Sequence, residues 1–125
     1  MSRVIAGLGF RRDCPAEFFV AVIRDAGAQS GRRVDALAVP EFKADEAGVQ
    51  AAARTLALPL IGVARAALKG ALGRGRTRPA AARAATGFAS VAEAAALAAA
   101  GADSRLLLPR IANARATCAL AEEAS

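Results

Sequence analysis

The order of apolar and polar positions divides the first half of the chain into alternating strands and helices. Val4-Ile5-Ala6-Gly7-Leu8 is a continuous apolar run, the pattern of a strand buried on both faces. Asp13 and Pro15 then mark a helix start, because Asp caps and Pro is tolerated in the first turn. Ala16, Phe19, Val20 and Ile23 follow at i, i+3, i+4 and i+7, one face of a helix that Gly27 or Gly31 ends. Ala36 to Val39 reads as a second strand, closed by Pro40. Asp45 and Glu46 stand where acids favour a helix N-terminus, and Val49, Ala52, Ala53 and Leu56 give the next helical stripe. Leu60 to Val63 is a third strand, and Ala64 to Leu72 a short helix. This alternation predicts right-handed crossovers and parallel pairing.

The pattern breaks at residues 69–79, where Gly70, Gly73 and Gly75 alternate with Arg74, Arg76 and Arg78, the composition of a mobile loop. After Gly87, Ser90-Val91-Ala92-Glu93 matches a capping box, in which Ser90 and Glu93 satisfy each other's backbone N–H groups. That helix runs to about Ala100 and stops at Gly101. Leu106 to Leu108 is a strand ended by Pro109, and Ala116 to Ala121 is the last strand. The short turn at Ile111 to Ala114 suits antiparallel pairing of the two. The expected fold is one α/β domain over residues 1–125. Its sheet is mostly parallel (mixed), with about five strands and helices on both faces.

Composition narrows the chemistry. Of 125 residues, 55% are hydrophobic and 22% charged, which fits a globular domain. Much of the apolar fraction is alanine, so the core is expected to be thin. No apolar run reaches the roughly 20 residues of a membrane span, and the N-terminus lacks a signal peptide's pattern, so the expected compartment is the cytoplasm. Cys14 and Cys118 read as free thiols, and histidine is absent, so neither a protein-held metal nor a cofactor is expected. The formal charge of +6 attracts polyanions, either nucleic acid or a small ligand bearing many carboxylates. Against nucleic acid, no aromatic residue is interleaved in the Arg/Gly stretch to stack on bases.

Three segments carry candidate site chemistry. Gly7-Leu8-Gly9-Phe10-Arg11-Arg12 follows a strand and precedes a helix, but Arg12 stands where a dinucleotide fingerprint has its third glycine. The surviving readings are a plain tight turn, or an anion site in which Gly7 and Gly9 let backbone approach a ligand gripped by Arg11 and Arg12. Pro40-Glu41-Phe42-Lys43-Ala44-Asp45-Glu46 lies at the carboxyl end of a strand, where α/β sheets bind ligands. There Lys43 could bind a carboxylate and Glu46 act as acid or base, unless both serve helix-start electrostatics. Ser90 and Glu93 are sufficiently explained as caps. Cys14 and Cys118 read as core residues.

These segments resemble the CobE/CbiG C-terminal family of cobalamin biosynthesis. Gly7 to Arg12 is similar to its glycine-any-glycine-cysteine-arginine-arginine-glycine start, with Phe10 in place of the cysteine and Asp13 in place of the last glycine. Lys43-Ala44-Asp45-Glu46-Ala47-Gly48 resembles its lysine-any-acid-glutamate-any-glycine block. Gly87-Phe88-Ala89-Ser90-Val91-Ala92-Glu93-Ala94-Ala95-Ala96-Leu97 is close to its most specific signature. Leu106 to Leu120 repeats its strand, basic residue (Arg110, where lysine is common) and Thr-any-Ala strand, here Thr117-Cys118-Ala119.

The resemblance implies an α/β fold and a role in corrin-ring synthesis by the oxygen-dependent route. Gly7, Gly9, Arg11, Arg12, Lys43, Glu46, Ser90, Glu93, Arg110 and Thr117 are then the ligand-binding candidates, with Arg11, Arg12, Lys43 and Arg110 expected in loops near strand ends. The expected partners are a precorrin or corrin-acid intermediate and other enzymes of the pathway. Two rival readings stand beside this carrier: an enzyme of a hydrolytic or rearrangement step on a precorrin, with Glu46 or Glu93 as catalyst, and a nucleic-acid binder.

Overall fold

A computed structural model describes residues 2–74 and 90–124. Its described strands are β1 (Val4–Phe10), β2 (Ala36–Pro40), β3 (Leu60–Val63), β4 (Arg105–Ala112) and β5 (Ala116–Glu122). They form one sheet in the order β3-β2-β1-β5-β4. β1, β2 and β3 pair in parallel, whereas β5 runs antiparallel to both β1 and β4. The mixed α/β architecture is the one that the periodicity predicts.

The helices are α1 (Ala16–Ser30), α2 (Ala47–Leu56), α3 (Arg65–Ala71) and α4 (Val91–Ala100). Side chains alternate across the strands. Val4, Ala6, Leu8, Leu37, Val39, Cys118 and Leu120 form one core with Phe19, Val22 and Ile23 of α1 and Val49 and Ala52 of α2. Ile5, Ala36, Ala38 and Ala121 pack on the other face against Ala95, Ala96 and Leu97 of α4 and Ala71 of α3. α4 is buried over most of its circumference and built almost wholly of alanine. Small side chains let its backbone lie directly on the sheet. A Cβ on Gly7 would stand 2.0 Å from the Ala92 carbonyl oxygen and 2.5 Å from the Ala96 nitrogen.

Several local expectations are corrected. β1 runs past the expected Leu8 to Phe10, so Gly9 as well as Gly7 lies within the strand rather than in a tight turn. Asp13 is not the cap of α1; Pro15 occupies that position in extended backbone, and Asp13 is left-handed at φ 64°. Gly31, at φ 69°, ends α1. Of the capping box, Ser90 Oγ accepts the Glu93 N–H (3.3 Å), but the Glu93 carboxylate reaches across to β4. β4 does not stop at Pro109. It continues to Ala112 with irregular register between Leu106 and Ile111, as an edge strand tolerates a residue lacking an N–H donor. Arg110 is therefore in a strand, not a loop. Lys69 to Ala71 finish α3 and Leu72–Arg74 add a 3₁₀ turn, so the loop expected over 69–79 does not begin at Lys69. The remainder of that stretch lies outside the described residues.

Candidate functional site at the carboxyl end of the sheet

The carboxyl ends of β1, β2 and β3 lie side by side, and a cavity of about 570 Å³ opens there. Leu8, Gly9 and Phe10 of β1, Pro40 of β2, and Phe42 and Lys43 of the 3₁₀ turn at Glu41–Lys43 line one part of it. Arg65, Leu68, Lys69 and Leu72 line another, and Val91 opens α4 beside them. The walls are mostly apolar, the ionic groups among the lining residues are all cations, and Phe42 is 61% exposed. This volume lies within the range of roughly 300–1,000 Å³ typical of small-molecule sites.

Beside the cavity, residues 11–15 connect β1 to α1 and carry Arg11 and Arg12, both exposed. The Lys43 ammonium donates to the Phe10 carbonyl oxygen and lies 4.6 Å from the centre of the Phe10 ring. Phe10 in turn meets Phe19 edge-on, with ring centroids 4.7 Å apart. Partial burial pushes the Lys43 ammonium below its ordinary pKa, against the opposing pull of nearby Glu46. Glu46 Oε1 accepts the Asp13 N–H at 2.9 Å. Gly48 lies so close to this connection that a Cβ there would stand 1.9 Å from the Cys14 carbonyl oxygen. Cys14 is buried, and desolvation raises its thiol pKa. The left-handed backbone at Asp13 accounts for a glycine at that position in the family pattern, and Asp is among the few residues that tolerate it.

The N-terminus of α4 closes the third side. Ala92 packs against Gly9, whose missing Cβ would otherwise lie 2.5 Å from Thr117 Oγ1. Thr117 donates its hydroxyl to the Gly9 carbonyl oxygen at 3.3 Å. Glu93 is wholly buried, and its Oε2 accepts the Arg110 N–H at 2.9 Å. Thus Gly9, Arg11, Arg12, Lys43, Glu46, Ser90, Glu93, Arg110 and Thr117 all belong to the elements around this one end. Gly7 lies deeper, beneath α4, with no room above it for a ligand atom.

The described ion pairs lie away from the cavity. Among the described residues the ion pairs are Arg3–Glu123 (2.7 Å), Arg32–Glu122 (2.6 Å) and Arg105–Glu122 (2.9 Å). All cluster at the opposite end, where Val4 faces Glu122, and they hold both glutamates below the usual carboxylate range. Arg11, Arg12, Arg65 and Lys69 are exposed and take part in no ion pair among the described residues. Sequence reasoning missed Phe42, Arg65, Leu68 and Lys69 as site residues. The i, i+4 spacing of Arg65 and Lys69 on α3 was the available signal. Among the described residues no group of His, Cys, Asp or Glu could hold a metal ion, and no helix is long and apolar enough to cross a membrane.

Residues 4–121 match the family model described as cobalamin synthesis G C-terminus. The fold is similar to the crystal structure of CobE, a protein from the cobalamin (vitamin B12) biosynthetic pathway. Their identity is 38% and the TM-score 0.86, over 98% of this chain and 92% of that one. It is also similar to the cobalamin biosynthesis protein chiG from Agrobacterium tumefaciens, at 38% identity and a TM-score of 0.80, over 98% and 99% of the two chains. A cobalamin biosynthesis protein G homologue from Sulfolobus solfataricus shares the fold at 19% identity and a TM-score of 0.73. This chain spans 37% of its length. No protein of curated function matches the chain in sequence.

Proposed function

Because the chain belongs to the cobalamin synthesis G C-terminus family, we propose that it binds a precorrin or corrin polycarboxylate in the oxygen-dependent route and passes it between enzymes of that pathway in the cytoplasm. The observation that carries this reading is the set of cations at the cavity: Lys43, Arg65 and Lys69 line its mostly apolar walls, and the exposed Arg11 and Arg12 lie on the neighbouring connection from β1 to α1. Such a site suits a ligand with a large apolar ring and an anionic periphery. Exposed ionic contacts are worth up to about 1 kcal/mol each, so four fall short of the roughly 8 kcal/mol of micromolar binding. Burying ~150 Å² of ring in the cavity supplies about 4 kcal/mol more.

The enzyme reading has less support. Glu46 is engaged by the Asp13 N–H, and Glu93 is buried against the Arg110 N–H. Neither stands with an exposed carboxylate in the cavity wall.

The test is a titration with hydrogenobyrinic acid, followed by the ligand's visible absorbance. Saturable one-to-one binding that weakens about tenfold in Arg11→Ala/Arg12→Ala, and again in Arg65→Ala/Lys69→Ala, is expected. No binding of this ligand or of earlier precorrins at tens of micromolar would overturn the carrier reading.

A further inference from the structure

The family-like block from Lys43 to Gly48 lies beside the cavity, yet the contacts of its three characteristic residues converge on a single stretch of backbone. Lys43 donates to the carbonyl of Phe10, the last residue of β1. Glu46 accepts the N–H of Asp13. Gly48 leaves space for the carbonyl of Cys14. We propose that Lys43, Glu46 and Gly48 form a brace that sets the conformation of residues 11–14, and that Lys43 and Glu46 are positioning residues for Arg11 and Arg12 rather than groups that grip or transform the ligand.

Three features support the assignment. Asp13 has a left-handed backbone, uncommon outside glycine although Asp tolerates it, and the Glu46 carboxylate holds that turn by accepting the Asp13 amide. The two bonds fall on either side of Arg11-Arg12, at Phe10 and Asp13, so they set the direction in which both side chains leave the backbone. The Lys43 ammonium gives one of its three donors to the Phe10 carbonyl and lies over the Phe10 ring, so its position is tied to the end of β1. Arginine side chains lose much rotamer freedom when a ligand orders them, and a preset backbone removes the further loss of ordering the loop. The brace therefore converts two exposed arginines into a prepared fork for neighbouring carboxylates.

For its ligand readout this inference rests on the binding reading above, so the experiment has a second arm without ligand. The Asp13 amide resonance is followed by NMR in the wild-type chain, Glu46→Gln and Glu46→Ala. Affinity for hydrogenobyrinic acid is measured in the same proteins, in Lys43→Met, and in Glu46→Ala combined with Arg11→Ala/Arg12→Ala. A glutamine retains an acceptor oxygen, so Glu46→Gln should keep the Asp13 amide protected and the dissociation constant within about twofold. Glu46→Ala should release the amide to solvent exchange and weaken binding about fivefold, and Lys43→Met should do the same to binding. In the Arg11→Ala/Arg12→Ala background, Glu46→Ala should have no further effect, because contacts that act through one another are not additive. The brace is overturned if the Asp13 amide is indifferent to Glu46→Ala, if Glu46→Gln binds as poorly as Glu46→Ala, or if the Glu46→Ala loss persists without the arginines. If the wild-type chain binds no corrinoid, the binding reading fails while the brace is still decided by the Asp13 amide.

Discussion

Substituting Gly7 by alanine isolates the feature on which the site's third wall depends. The added methyl carbon would lie 2.0 Å from the Ala92 oxygen and 2.5 Å from the Ala96 nitrogen, against 3.4 Å or more in ordinary contact. Both neighbours are α4 backbone, so no rotamer change relieves the clash. The helix must rise by more than 1 Å. A radial gap of 0.5–1 Å already forfeits a quarter to a half of each contact's attraction, and here the gap runs along the packing of α4 on Ile5, Ala36, Ala38 and Ala121. Overpacking of this kind costs typically 1–3 kcal/mol, and the absence of any soft neighbour puts Gly7→Ala near 3, after the fraction of a kcal/mol regained from glycine's unfolded-state entropy. At about 4 °C per kcal/mol for a domain of this size, Tm should fall by about 12 °C. Gly9→Ala is the internal control. Its methyl meets Thr117 Oγ1 at 2.5 Å, a side-chain atom, so it should cost about 1 kcal/mol and recover in Gly9→Ala/Thr117→Ala. Urea unfolding by far-ultraviolet circular dichroism, with calorimetry, measures both. A Gly7→Ala loss below about 1 kcal/mol, or equal to that of Gly9→Ala, would refute the account of α4 resting on bare β1 backbone.

Two further outcomes follow from the structure. Burial pushes the Cys118 thiol up to about 12, from 9.0 in the unfolded chain, so above pH 9 the unfolded state sheds a proton that the folded state keeps. Stability attributable to this group is whole below pH 9 and declines as pH rises toward 12, by up to about 4 kcal/mol. Stability curves between pH 8 and 11 should therefore fall less steeply in Cys118→Ala, and an equal slope would remove the argument. Because the chain contains neither Trp nor Tyr, Phe42→Trp installs a single indole at the mouth of the cavity. Saturating corrin acid should quench most of its emission, whereas unchanged fluorescence on a binding-competent protein would put the ligand elsewhere.

The elements were legible where a residue's neighbours in sequence are also its neighbours in space. The apolar runs of β1 to β3 and the stripes of α1 and α2 are local periodicities, and the structure follows them. The misreadings share a cause. Gly7 and Gly9 look like a turn or an anion cradle until α4, more than 80 residues onward, is seen resting on them. Glu93 has the spacing of a capping residue, but its Oε2 accepts the Arg110 N–H on a strand formed later in the chain. Asp13 carries the signature of a cap and instead accepts left-handed backbone. Pro109 ends a strand only if the strand is central, and sequence does not reveal that β4 is an edge. The cavity was half visible. Its motif-bearing wall from Gly9 to Lys43 was read, whereas Phe42, Arg65, Leu68 and Lys69 gain meaning only when the Glu41–Lys43 turn and α3 face each other.

The position of β5 has a consequence for how the chain reaches this state. β5 lies between β1 and β4, pairing Val4 with Glu122 across 118 residues of sequence. During synthesis β1, β2 and β3 can associate early, but the flank of β1 stays open, with apolar side chains on both faces, until residues 116–122 have left the ribosome. Contacts of such long separation slow folding, and an unpaired strand edge held open through synthesis invites association with other chains. Expression yield should therefore depend more on the integrity of residues 116–122 than their modest number of side chains suggests, since they complete the middle of the sheet rather than its margin.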